Sequence, residues 1–158
     1  DSVELDEIYT PIHVQTRRLI ADSEGAGRFR GAPGIEGELR PVNCRMEAGF
    51  VADGNIHNPL GARGGEAAAK SDQFRRTRGG ELERLDQCSQ IWIEDGEALV
   101  SIACGGGGYG DPKTRDPARV LRDVREGLVS RNRAADVYGV VVTETMEIDE
   151  AATAALRN

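Results

Sequence analysis

The sequence predicts an α+β fold. A β-rich domain of short antiparallel strands and glycine loops is expected over residues 1–112. A small helical segment, 113–158, packs on it to make a single domain overall. Three observations predict this. Apolar and polar residues alternate with period two in several stretches before residue 104. The helix-start signals Asp116-Pro117, Ser130 and Asp149 all come later. Between the two regimes runs Cys104-Gly105-Gly106-Gly107-Gly108-Tyr109-Gly110-Asp111-Pro112. Glycine loses more backbone freedom on folding than any other residue, so such a run persists where the backbone needs positive φ or approaches something closely. It is not a P-loop, because no Gly-Lys-Ser/Thr follows. A tight turn packed against another backbone is the simpler reading than a phosphate cradle.

Taken in order, Ser2–Glu7 alternates, with Val3 and Leu5 on one side and Glu4 and Asp6 on the other. Residues 2–20 therefore read as two short strands joined near Pro11, since proline is excluded from the middle of a central strand. Residues 22–34 hold several glycines around Arg28-Phe29-Arg30, which marks irregular backbone with tight turns. In extended backbone Arg28 and Arg30 share one face and Phe29 takes the other. The two arginines suit a carboxylate or phosphate by bidentate pairing, or an ion pair that pins the loop. Residues 35–42 read as a strand, 44–50 as a second, and 53–80 as mostly irregular, ordered by a partner or partly mobile. Gln90–Ile93 and Glu97–Ala103 are strands flanking Asp95-Gly96, a candidate hairpin. Pro117 opens a helix stopped by Gly127, Ser130 caps a second stopped by Gly139, Val140–Val142 is a short apolar strand, and Asp149 caps a last helix.

With 158 residues, 39% hydrophobic and 4% aromatic, the chain has material for one modest core. Its net charge of −7 argues against binding nucleic acid through phosphates, which needs a basic surface. No apolar run approaches the ~20 residues of a membrane span, so no membrane partner and a cytoplasmic location are expected. The sequence starts at Asp1 with no Met, which fits trimming or a piece of a longer polypeptide. Three cysteines at wide spacing do not make a disulfide framework. Cys44, His57, Cys88 and Cys104 are the weak candidates for a zinc site. They lack the close ligand pairs of zinc ribbons, and buried reduced cysteines are the plainer reading. Cys104, at the lip of the glycine run, is a conceivable nucleophile with no base beside it. His13, among β-formers, reads as structural. No Gly-x-Ser-x-Gly or other catalytic set is evident.

A family resemblance emerges from the motifs together. Asp22-Ser23-x-Gly25-Ala26-Gly27-Arg28-Phe29-Arg30-Gly31 resembles the DSGGAGRFRGG signature of the hydantoinase B family. Pro59-Leu60-Gly61 with Gly64-Gly65 looks like a degraded form of that family's second glycine loop. Gly105–Pro112 is similar to its PGGGGYGDP signature, with Cys104 in place of proline, and Arg115–Val141 resembles its C-terminal tail. The resemblance implies a small subunit of a multisubunit ATP-dependent carboxylase or hydrolase, of the acetone and acetophenone carboxylase kind, acetophenone carboxylase being the leading choice. Such a subunit would complete the substrate-handling part without an ATP site or catalytic set of its own. It implies larger kinase-like (A-type) and B-type partner subunits in a hetero-oligomer, with ATP and a divalent metal bound there. Arg28, Arg30, Gly105, Gly106, Gly107, Gly108, Tyr109 and Asp111 are then interface or substrate-channel candidates. Two other readings stand beside it: an excised C-terminal domain of an N-methylhydantoinase or 5-oxoprolinase B-type subunit, and a stand-alone zinc-binding scaffold.

Overall fold

The structure, a computed structural model, describes residues 2–158. Its elements in chain order are α1 (Val3–Tyr9), β1 (Ile12–Leu19), β2 (Ile35–Pro41), β3 (Met46–Val51), β4 (Asp72–Arg76), β5 (Leu82–Arg84), β6 (Cys88–Ile93), β7 (Ala98–Ala103), α2 (Pro117–Arg125), α3 (Arg131–Asp136) and α4 (Glu150–Arg157). The fold is mixed α+β, with antiparallel sheets of short strands and a helical C-terminal stretch.

The chain forms two compact units, each made of three separate stretches. The first, residues 1–18, 35–57 and 70–103, holds the strands. Five of them make one sheet in the order β1-β2-β7-β4-β5. β7 is its centre: Val100 faces Glu38 of β2 on one side and Phe74 of β4 on the other. Val100 is buried, as period-two alternation requires. Arg76 of β4 reaches across β7 to grip Glu38 bidentately, Nε donating at 2.7 Å and Nη2 at 3.0 Å. That carboxylate is only 8% exposed, and the pairing keeps Arg76 protonated beyond its ordinary range. β3 and β6 form a separate two-stranded ribbon, with Met46 opposite Ile93 and Val51 opposite Cys88.

Four expectations change here. Residues 3–9 are helical: the Ser2 hydroxyl caps the Leu5 N–H, and Leu5, Ile8 and Tyr9 follow helical spacing. Glu4, in the first turn, is held below the usual carboxylate range by a backbone hydrogen bond and by the Ser2 hydroxyl. The stretch 53–80 contains β4, whose polar sequence is held by pairing with β5 just after it and with the more distant β7. Asp95-Gly96 is a turn, with Gly96 at φ 86°, but it does not make a hairpin. β6 pairs with β3, and β7 with β2 and β4. Val140–Val142 forms no strand ladder, only a bridge from Val142 to Ile148.

The second unit, residues 19–34, 58–69 and 104–158, holds the glycine loops and α2–α4. Asp116, Ser130 and Asp149 cap the three helices as their side chains predict, accepting from Ala118, Arg133 and Ala152 N–H. Gly127 and Gly139 end the first two at φ 71° and 63°. Val120, Val124, Val129, Ala134, Tyr138, Val140 and Val142 pack around Ala26 in its core. No helix among the described residues is long and apolar enough to cross a membrane.

Candidate functional site

The glycine run is threaded between two other stretches of backbone. On one side, Gly106 N–H donates to Ala32 O at 2.8 Å, Tyr109 N–H to Phe29 O at 2.9 Å, and Gly25 N–H to Gly106 O at 2.8 Å. On the other, Gly105 N–H donates to Ala69 O, Gly108 N–H to Glu66 O and Gly110 N–H to Ala62 O, while Ala62 N–H returns to Gly108 O. Tyr109 bridges both neighbours, antiparallel to Phe29 and parallel to Ala62.

Gly110 takes φ 75°, whereas Gly105–Gly108 do not occupy the left-handed region. Close approach is what selects Gly105, Gly107 and Gly108, whereas a Cβ at Gly106 would meet only a tight contact with Ala32 N at 3.1 Å. A Cβ at Gly105 would strike Ser23 O, one at Gly107 would strike Leu60 O, and one at Gly108 would strike Ala26 O. The partner loops carry glycine for the same reason, since a Cβ at Gly31 would strike Gly106 O. The amides named above bond to carbonyls of this junction, so the loop is a structural seam rather than a phosphate cradle.

Two buried carboxylates anchor the seam to the helices. Glu24, 1% exposed, accepts from Arg133 Nε at 2.8 Å and from the Tyr138 hydroxyl at 3.0 Å. Burial, reinforced by the Glu24 charge, pushes the Tyr138 hydroxyl far above the ordinary tyrosine value. Asp123, also 1% exposed, accepts from Arg30 Nη2 at 3.0 Å and from Arg115 Nη2 at 2.8 Å. Burial works against the charges of Arg30 and Arg133, and their carboxylate partners outweigh it, so both stay more firmly protonated than usual. Arg115 Nη1 also donates to Arg28 O, tying the first glycine loop to the start of α2.

The predicted residues thus separate. Arg30 turns inward to Asp123, whereas Arg28 turns outward and lies over the Phe29 ring, 5.7 Å from its centroid. Tyr109 stands out from the seam at 45% exposure beside Phe29, their ring centroids 6.4 Å apart. Arg63, at φ 51°, lies 5.9 Å from the Tyr109 ring. Asp111 caps a short 3-10 turn through the Lys113 N–H.

The cysteines do not converge. Cys88 is exposed, and Cys44 and Cys104 are half-buried rather than core residues. Among the described residues no three His, Cys, Asp or Glu side chains could hold a metal ion together. His13 pairs with Glu7 at 2.9 Å, and His57 shares no such cluster.

Sequence reasoning passed over Glu24, Asp123, Arg115, Arg133 and Tyr138. Asp123 carried a legible signal, because it sits between Val120 and Val124 on the apolar face of α2, where an acid requires a partner.

Residues 1–112 match the family described as hydantoinase B/oxoprolinase. The chain belongs to that family. Within it, the chain is 37% identical to the beta subunit of caprolactamase from Pseudomonas jessenii, over 98% of this chain and 27% of that protein. The crystal structure of the ATP-dependent caprolactamase from that organism superposes with a TM-score of 0.81 at 32% identity, covering 99% of this chain and 28% of its own. A nucleotide-free acetone carboxylase structure gives a TM-score of 0.84 at 26% identity, over 99% of this chain and 26% of its own. A shorter match, 40% identical over 47 residues, is to the acetophenone carboxylase delta subunit of Aromatoleum aromaticum, over 29% of this chain and 7% of that protein. The chain spans about a quarter of the length of the caprolactamase and acetone carboxylase chains it matches.

Proposed function

We propose that this chain is part of the B-type, substrate-handling portion of a hetero-oligomeric ATP-dependent enzyme that acts on a carbonyl carbon, a cyclic amide being the favoured substrate class. The observation that carries this reading is the alignment of 98% of the chain with a caprolactamase subunit at 37% identity. The geometry agrees with a scaffolding role. The glycine amides named above bond within the seam, and the buried arginines are spent on Asp123 and Glu24. This part of the protein then shapes and supports a site, while ATP and a divalent metal are held by larger kinase-like and B-type components. The same reading makes it a cytoplasmic assembly.

A ketone is the second reading. It is favoured by the acetone carboxylase superposition and, for an aromatic ketone, by the 47-residue acetophenone carboxylase match. One experiment separates the substrates. The assembly containing this chain is purified from its source, its components are identified by mass, and ATP hydrolysis is followed with caprolactam, with acetone plus bicarbonate, and with acetophenone plus bicarbonate. Stimulation by the lactam alone is the expected result. Stimulation by a ketone moves the protein to the carboxylase group. A chain that purifies folded and alone, with no stimulated ATP hydrolysis, overturns the proposal.

A further inference from the structure

We infer that Arg28, Phe29, Arg63, Tyr109 and Arg119 form a docking surface for a carboxylate-bearing protein segment of another subunit. This inference rests on the hetero-oligomeric reading above. Phe29 and Tyr109 are 53% and 45% exposed, yet their backbones are fixed to each other by reciprocal hydrogen bonds at 2.9 and 3.0 Å. Large aromatic rings on so constrained a support are pre-organised, so little conformational freedom is lost when a partner covers them.

The arginines supply the sign of the partner. Arg28 lies over Phe29 and Arg63 over Tyr109. Among the described residues, none of Arg28, Arg63 and Arg119 forms an ion pair. Two acids also lie in this region and keep their charge: Asp111 caps the Lys113 N–H and Asp116 the Ala118 N–H. The three guanidiniums outnumber these acids, a local excess of positive charge on a chain of net charge −7. A concavity of about 290 Å³ lies between Arg28, Phe29, Thr114, Asp116 and Arg119, room for a side chain rather than a whole substrate. Exposed Arg and Tyr around such a pocket match the composition of interface hot spots, where the fork of Arg takes a carboxylate bidentately. Arg63 adds a backbone observation. A non-glycine residue at φ 51° is strained, and here the strain presents the guanidinium beside the Tyr109 ring.

The test uses the assembled enzyme. Arg28→Glu with Arg63→Glu is compared with Lys70→Glu plus Arg40→Glu, an equal charge change at exposed positions elsewhere. A third variant, Phe29→Ala, removes a ring and no charge. Association with the other subunits is measured from low to high salt, and thermal unfolding of each chain checks that it folds. The patch variant should weaken association ~10-fold or more and flatten its salt dependence, with Phe29→Ala weakening it at every salt. The control should associate as the wild type does. Unchanged association of a folded patch variant overturns the inference and leaves the functional reading standing. An intact assembly with a raised KM would assign the patch to a small anionic substrate instead. Loss of self-association alone would assign it to a second copy of this chain. Either outcome overturns the inference. If the wild type assembles with nothing, the functional reading falls and the inference falls with it.

Discussion

Asp123 shows at the scale of one residue why the seam depends on its charges. Its carboxylate lies between Arg30 and Arg115, whose side chains are 17% and 6% exposed. Asp123→Ala would leave two buried guanidiniums without their anion, and about 3–5 kcal/mol of stability should be lost in a denaturant titration. Glycines divide by the same logic of space. Gly108→Ala would drive a methyl into Ala26 O and should cost about 3 kcal/mol or prevent folding. Gly37→Ala, in β2, meets nothing within 4 Å and should be neutral or stabilise by up to about 1 kcal/mol. Tyr138 gives a pH signature. Its hydroxyl binds a proton more tightly folded than unfolded, so its stabilisation is complete below about pH 10 and is lost as pH rises above that value. Tyr138→Phe should be less stable near neutrality by about 1–2 kcal/mol, through the lost bond to Glu24. The gap should narrow from pH 10 upward when unfolding midpoints are compared. A gap that stays constant to pH 11 would refute the assignment.

Among the elements, the boundary signals were more legible than the pairings. Asp116-Pro117, Ser130, Asp149, Gly127 and Gly139 name the ends of α2–α4 because caps act over three or four residues. β2, β3, β6 and β7 were legible from alternation. α1 was misread because alternation over six residues cannot be told from a helix that buries nothing, and the deciding signal was the Ser2 cap. β4 escaped because Asp72–Arg76 has no local strand character. Its stability comes from β7 alongside and from Arg76 reaching Glu38, 38 residues away in sequence. The candidate site divides in the same way. The glycine run advertises close approach, but which backbone approaches, and where Arg28 and Arg30 turn, is decided by residues near 62 and 123. The β3–β6 ribbon invites a measurement of its own. Two strands alone are marginal in water, and Val51 and Trp92 are 76% and 44% exposed. Hydrogen exchange of the isolated chain should release amides 46–51 and 88–93 well before those of 35–41 and 98–103. Equal protection would show that the ribbon has all the support it needs.

For the molecule as a whole, the family relation assigns the fold, and the seam explains how a low-aromatic, glycine-rich chain holds it. Both units draw on separated stretches of sequence, and the contacts that lock the second one are long-range. Arg30 meets Asp123 across 93 residues, and Arg133 meets Glu24 across 109. The consequence falls on synthesis. When the stretch carrying Glu24 and Ala26 leaves the ribosome, the helices that will neutralise the one and cover the other do not yet exist. An acid and a glycine-rich loop destined for burial must wait, solvated and unpaired, until the residue that neutralises Glu24 has followed 109 positions later. Completion of this core therefore has to follow synthesis of α2 and α3, the situation in which a partly folded chain exposes surface that chaperones bind.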